Sequence, residues 1–244
     1  MTKPADYAGK TAYRGPIAEH YDRDRVGEAI WQVEQQFVTD WTATLSPGQG
    51  VLDVPAGTGR FTEAFLARGL QVHAMDISDD MLAPIRRRWP AATPGLTVQA
   101  ADAERLPLAD GAVDCVLSWR LFHLLPAPVY RRVLQEFHRV ARREVVLQVF
   151  AVRPAGQPRP FAPGLRRKLG PTWRRLRAAL GGPPVQPWSH IASFSHGDDE
   201  IRQAIAAAGL VVARVHDFGA DAAGLLNRVY FLTRAGDTPA QGRA

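Results

Sequence analysis

Three carboxylates sit where three short apolar runs give way to polar residues. Asp53 lies in the run 51–54, Asp76 ends the run 70–75, and Asp102 follows the run 96–101. After the first run comes Pro55-Ala56-Gly57-Thr58-Gly59-Arg60-Phe61, where apolar residues begin to recur at helical spacing. A strand that feeds a glycine turn and opens a helix aims its first backbone N–H groups at a polar ligand. Gly57 and Gly59 let the main chain turn sharply and come close to that ligand. Asp76 stands 23 residues after Asp53, placed to accept hydrogen bonds from both hydroxyls of a ribose. Asp102 could accept from an adenine amino group. These residues describe a site for an adenosine-containing cofactor. The third glycine of the dinucleotide fingerprint would fall at Thr62, and the turn holds no basic residue for a pyrophosphate. A Walker-type lysine is absent as well, which argues against nucleoside triphosphates. Three acids at the ends of three neighbouring strands suit a cationic ligand without phosphates.

The elements that must position these residues alternate along the chain. Ile30, Val33, Phe37, Trp41 and Leu45 recur every three or four residues, predicting an amphipathic helix that Pro47-Gly48 stops. Strands are expected at 51–54, 70–75, 96–101, 113–118 and 145–152, with helices at 61–67, 79–88 and 128–141 between them. A helix over 198–208 and strands at 210–218 and 229–233 close the chain. Strands separated by helices of about ten residues mean βαβ units and a mostly parallel sheet. Five segments follow: an N-terminal helical lid (1–46), a cofactor-binding core (47–152), an insertion (153–196), closing helix and strands (197–234), and a tail (235–244).

Composition bounds the rest. The chain has 244 residues, 46% of them hydrophobic, one cysteine and a net charge of +6. Such a chain folds, and no apolar run approaches the roughly 20 residues that cross a bilayer. No secretory leader is visible, and a lone cysteine fits a reducing cytoplasm. No metal-ligand spacing is present. The charge is uneven: residues 145–197 hold eight Lys and Arg, no Asp or Glu, and eight of the 19 prolines. This stretch reads as an insertion with one basic helix, about 164–180, framed by proline-rich connections.

The motifs VLDVPAGTGRF (51–61), VHAMDISDDML (72–82), AADAERLPLADGAVDCVLSWRLFHLL (100–125) and RVLQEFHRVAR (132–142) stand in order. Together they resemble the class I S-adenosylmethionine-dependent methyltransferases, closest to the small-molecule branch of ubiquinone and menaquinone biosynthesis. The resemblance implies a Rossmann-like α/β fold whose seven-stranded sheet runs 3-2-1-4-5-7-6, helices on both faces and strand 7 antiparallel. It implies that Gly57, Thr58 and Gly59 line the methionine part of S-adenosyl-L-methionine, with Asp53 ordering the turn from behind. Asp76 would hold the ribose, with Ile77 and Met81 by the adenine. Asp102 and the Ala103 N–H would read the adenine edge, and Ser118 would approach the methionine amino group. Tyr13 and Arg14 would reach the methionine carboxylate from the lid. Two departures stand out. Pro55-Ala56 replaces the commoner Gly-Cys pair, and Arg142-Arg143-Glu144 replaces the glycine pair before strand 5, so a different turn is expected there.

Methyl transfer needs the nucleophile held in line and water excluded, and a base only when the nucleophile must lose a proton. His123, just past strand 4, is the candidate base; its bland reading is a hydrogen-bonded histidine that packs a loop. Tyr21 and His20 are weaker candidates on the lid. Trp119, Arg120, Trp173, Arg174 and Arg177 are candidate acceptor-side residues. The insertion is either a solvated basic helix, an acceptor lid attracting an acidic small molecule or anionic lipid head group, or a nucleic-acid contact. The favoured reading is transfer to a small molecule, at oxygen, with carbon and nitrogen as open alternatives and peripheral membrane contact allowed. The alternatives are an RNA methyltransferase that uses the insertion, or a non-catalytic cofactor-binding regulator. Oligomeric state is not legible.

Overall fold

A computed structural model describes residues 10–15, 18, 21, 29–152, 194–220 and 225–236. Helix α1 (Ala29–Ala43) precedes β1 (Gly50–Asp53), α2 (Thr62–Ala67), β2 (Gln71–Asp76), α3 (Asp79–Arg88), β3 (Leu96–Ala100) and β4 (Val113–Ser118). A 3-10 turn (Phe122–Leu124), α4 (Ala127–Val140) and β5 (Ala141–Val152) follow. After the undescribed stretch come β6 (His196–Gly197), α5 (Asp198–Ala207), β7 (Leu210–Ala220) and β8 (Leu225–Arg234).

The main path of the sheet is β3-β2-β1-β4-β5-β8-β7. Strands β3 to β5 pair in parallel, and β8 is antiparallel to both β5 and β7. This is the expected order, with β7 and β8 as the sixth and seventh strands. The short β6 adds a parallel pairing beside the end of β5, at Ala151 and Val152. The chain winds outward from β1 to β3 and then returns to β4 on the other side of β1. Such a reversal opens a crevice at the carboxyl ends of β1 and β4, the place where open parallel sheets bind ligands.

Both faces of the sheet are covered, because inward residues alternate with period two along strands buried on both sides. Leu52, Val116, Val145, Leu147 and Val149 pack with Val129, Tyr130, Val133, Phe137 and Ile201 of α4 and α5. Val51, Leu117 and Val146 point the other way, onto Val38 and Trp41 of α1 and Phe65 of α2.

Two local expectations are corrected. The chain passes from α4 into β5 without a turn, since Ala141 is already extended and paired with Val113. Residues 142–144 lie along β4 instead. Arg142 ion-pairs with Asp114 at 3.2 Å, Trp41 Nε1 donates to Glu144 at 2.9 Å, and a register shift between Val113 and Cys115 absorbs the change. In α1, Trp41 is buried and Phe37 packs on the core as the spacing predicts, but the first two turns are rotated by one residue. Val33 is 52% exposed, whereas Trp31, Glu34, Val38 and Trp41 are buried. The reason is electrostatic and belongs to the site.

Candidate active site

The crevice at the switch point is a cleft of about 780 Å³, with Gly57, Thr58, Asp76, Ile77 and Met81 on one wall. A smaller recess of about 380 Å³, lined by Asp102 and Ala103, shares Asp76 and Ile77 with it. The topology sets the three acids in a row, because β3, β2 and β1 are adjacent. Gly57 and Gly59 have φ of +56° and +88°, a left-handed backbone that suits glycine. A Cβ on Gly59 would lie 2.6 Å from Ile85 Cγ1, so close packing of turn against α3 also requires glycine there. Ser78 caps α3 by accepting from the Met81 N–H, and Asp79 and Asp80 in the first turn meet the helix dipole. That cap presents Met81 to the cleft.

Asp76 is nearly buried. Its Oδ2 accepts from the Gly57 N–H at 3.0 Å and its Oδ1 from the Ser78 N–H at 2.8 Å. Burial raises its pKa to about 6 although those backbone bonds favour the charge. Asp53, 1% exposed, has neither carboxylate oxygen partnered among the described residues. Burial first and the nearby Asp76 second hold its pKa well above the carboxylate range, with Arg60 opposing them. On the adjoining strand, Ser118 Oγ and Trp119 Nε1 are likewise buried without a partner among the described residues. Buried polar groups normally have partners, so this cluster marks where a ligand would supply them.

The N-terminal segment is pinned over the end of the site that holds Ser78, Asp80 and Asp102. Lys10 Nζ lies 2.9 Å from Asp102 Oδ2 and 2.9 Å from Glu104 Oε1. Ser78 Oγ donates to the Tyr13 carbonyl, and the Gly15 N–H donates to Asp80 Oδ2 at 2.9 Å. Tyr13 and Tyr21 line the cleft and meet edge to face, their rings 5.9 Å apart. Arg14 is exposed and does not line it. His20, Trp173, Arg174 and Arg177 lie outside the described residues, as does the insertion up to residue 193.

The opposite end is built around Glu34, which is fully buried on α1. Its Oε2 accepts from Arg60 Nη1 at 2.9 Å and from Arg120 Nε and Nη2 at 3.1 and 3.0 Å. Its Oε1 accepts from Asn227 Nδ2 at 3.0 Å. Gln148 Nε2 donates to Asn227 Oδ1 at 2.6 Å, while Gln148 Oε1 accepts the Arg120 N–H at 2.9 Å. Burial works to raise the Glu34 pKa, but Arg120 and Arg60 outweigh it and hold the carboxyl below its ordinary range. Arg120 adopts φ +57°, a left-handed conformation that costs a bulky residue on the order of 1–3 kcal/mol. Arg60 stacks 3.6 Å over Trp31 and 4.8 Å from the Phe61 centroid, and Phe61 meets Trp119 at 5.9 Å. Trp119 and Arg120 line the cleft as expected, together with Leu121 and Leu124. His123 does not. It sits on the 3-10 turn with its ring edge-on to Phe150 at 5.3 Å, and its carbonyl accepts from the Phe194 N–H.

Residues 51–144 match the methyltransferase domain family. That stretch is under half of the 244-residue chain, and over it the chain is similar to methyltransferase domains. Among curated proteins similar to this chain, a demethylmenaquinone methyltransferase of Thermobifida fusca is 38% identical over 129 residues, 52% of this chain and 53% of that protein. Another, from Beutenbergia cavernae, is 42% identical over 82 residues, 33% of this chain and 32% of its own. The chain spans about half the length, or less, of these curated relatives. Among solved structures, the magnesium protoporphyrin IX methyltransferase of Synechocystis PCC 6803 with bound SAH superposes with a TM-score of 0.62 at 16% identity. That match covers 92% of this chain and 97% of the other. The 1,6-didemethyltoxoflavin-N1-methyltransferase of Burkholderia thailandensis has a TM-score of 0.62 at 19% identity, covering 96% and 93%. Identities this low speak to the fold of the chain alone.

Reading the sequence missed Glu34, Arg60, Gln148 and Asn227. One signal was available: Glu34 falls four residues after Ile30 and three before Phe37, an acid beside the apolar stripe of a helix. Arg60 closes the glycine motif and Gln148 and Asn227 carry no local pattern; their meeting with Glu34 depends on the order of β1, β4, β5 and β8.

Proposed function

We propose that this chain transfers a methyl group from S-adenosyl-L-methionine to a small-molecule acceptor, at oxygen. The observation that carries the proposal is the buried Asp53 carboxylate, without a partner among the described residues, behind a left-handed glycine turn and in line with Asp76 and Asp102. A ligand with a cation at one end, a ribose in the middle and an adenine at the other fits that row. Asp76 keeps lone pairs for the two ribose hydroxyls. Ile77 and Met81 would flank the adenine, with Asp102 and the Ala103 N–H at its edge. Asp53 and Ser118 would meet the ammonium group. When bound, S-adenosylmethionine supplies an already activated methyl on a sulfonium, so the chain's residues have mainly to orient the acceptor and keep water out.

Trp31, Phe61 and Trp119 give the acceptor end apolar walls that serve both tasks. A hydroxyl acceptor must also lose its proton. Tyr21 lines the cleft and His123 does not, so we assign Tyr21 as a proton relay, its phenolic oxygen taking the acceptor's proton as its own O–H proton passes to solvent. Titration calorimetry with S-adenosylhomocysteine tests the cofactor site. Asp76→Ala should weaken binding by about 1–3 kcal/mol, the cost of charged hydrogen bonds left unmade. Equal affinity in the variant and the wild type would remove Asp76 from the site.

A further inference from the structure

Arg60 and Arg120 stand together at the acceptor end, and the surrounding residues are arranged to keep them there. Glu34, Asn227, Gln148 and Arg120 close a ring of hydrogen bonds that joins α1, β8, β5 and the residue two past β4. Glu34 and Gln148 are fully buried and Asn227 nearly so. The ring fixes Arg120 at both ends, backbone N–H and guanidinium, in a conformation that its side chain disfavours. Strain held by buried polar partners points to a use for the residue so held. Arg60 has one charged partner among the described residues, Glu34, and shares it with the second guanidinium; its other bonds go to Gln35 Oε1 and the Trp31 carbonyl.

We infer that the acceptor carries an oxyanion, a carboxylate or ionised hydroxyl on a planar ring, which docks against Arg60 and Arg120. The Glu34 ring is then the positioning device that aims both guanidinium groups. A planar guanidinium meets an oxyanion in a fixed geometry, as an ammonium does not. Aromatic walls lower the local dielectric and strengthen the attraction. Trp31, Phe61 and Trp119 beside the arginines suit the ring that would bear the charge. This inference rests on the reading of the other end as the methyl-donor site.

The test is binding of matched acid and amide probes: salicylate with salicylamide, and indole-3-acetate with indole-3-acetamide. Each is titrated with S-adenosylhomocysteine present and followed by tryptophan fluorescence. The wild type should bind at least one acid about tenfold more tightly than its amide, the size of one charge-assisted contact. Arg120→Gln should abolish that ratio, Arg120→Lys should restore part of it, and Asn227→Leu should reduce it although it touches no probe. A change in packing alone would weaken both members of a pair and leave their ratio intact. Equal binding of acid and amide by the wild type, binding of neither, or an unchanged ratio in Arg120→Gln and Arg120→Lys would each overturn the inference. S-adenosylhomocysteine affinity, measured separately, reports the donor site. Its loss in the wild type would fail the methyltransferase reading without deciding the preference for acids.

Discussion

At the scale of single residues, the site is governed by where carboxylates are buried. Asp76 binds its proton more tightly in the folded chain than in the unfolded one, with a pKa raised from 3.8 to about 6. Between those values the folded state holds more protons, so stability falls as pH rises through that window and levels off above it. Cofactor affinity should run the other way. Ribose hydroxyls donate to an ionised carboxylate, so affinity for S-adenosylhomocysteine should climb as pH passes about 6 and then flatten, with Asp76→Ala removing most of the climb. A flat wild-type profile from pH 5 to 7.5 would contradict this reading of the carboxylate. The proton-relay role separates two residues that the sequence ranked the other way, His123 ahead of Tyr21. Tyr21→Phe should slow transfer by about a hundredfold, the lower end of general-base effects, while His123→Ala should keep most of the rate. The reverse result would move the role to His123. Histidine is the default base by chemistry, and only the placement of the 3-10 turn beside Phe150 shows that it stands off the cleft.

At the scale of elements, the glycine turn carries the firmest expectation. An alanine Cβ at position 59 would lie 2.6 Å from Ile85, whereas at position 57 it would meet only the flexible end of Met81 at 3.3 Å. Both positions have positive φ, but only the first sets the turn against α3. Gly59→Ala should therefore lower Tm by about 4–8 °C and Gly57→Ala by about half as much. Equal losses, read by thermal unfolding, would mean that backbone conformation outweighs the clash. This turn was legible because strand, glycines and helix follow within a dozen residues. The register of α1 was not, because periodicity sees apolar residues and overlooks Glu34. Two arginines from distant parts of the chain draw that acid inward and turn Val33 out to solvent. The junction at Arg142-Arg143-Glu144 was misread for a related reason: its extended form depends on Asp114 and Trp41, 28 and 103 residues away in sequence.

At the scale of the whole molecule, the order of strands does the assembling. Reversal at β1 and β4 brings Asp76 to the cleft and Asp102 to the recess beside it, with Asp53 buried on the neighbouring strand. The placement of β8 beside β5 brings Asn227 and Gln148 together under the opposite end. Alternation of strands and helices in the sequence announced the first of these, and the second emerged only with the sheet. Among the described residues no helix is long and apolar enough to cross a membrane. The most direct test of the central claim is transfer itself. The purified chain is incubated with S-adenosylmethionine bearing a tritiated methyl group and a fractionated cell extract, and label is counted in small-molecule, lipid and RNA pools. The account predicts label in the small-molecule or lipid pool, lost with Asp76→Ala. Label confined to RNA, or no label in any pool from a chain that binds S-adenosylhomocysteine, would contradict it.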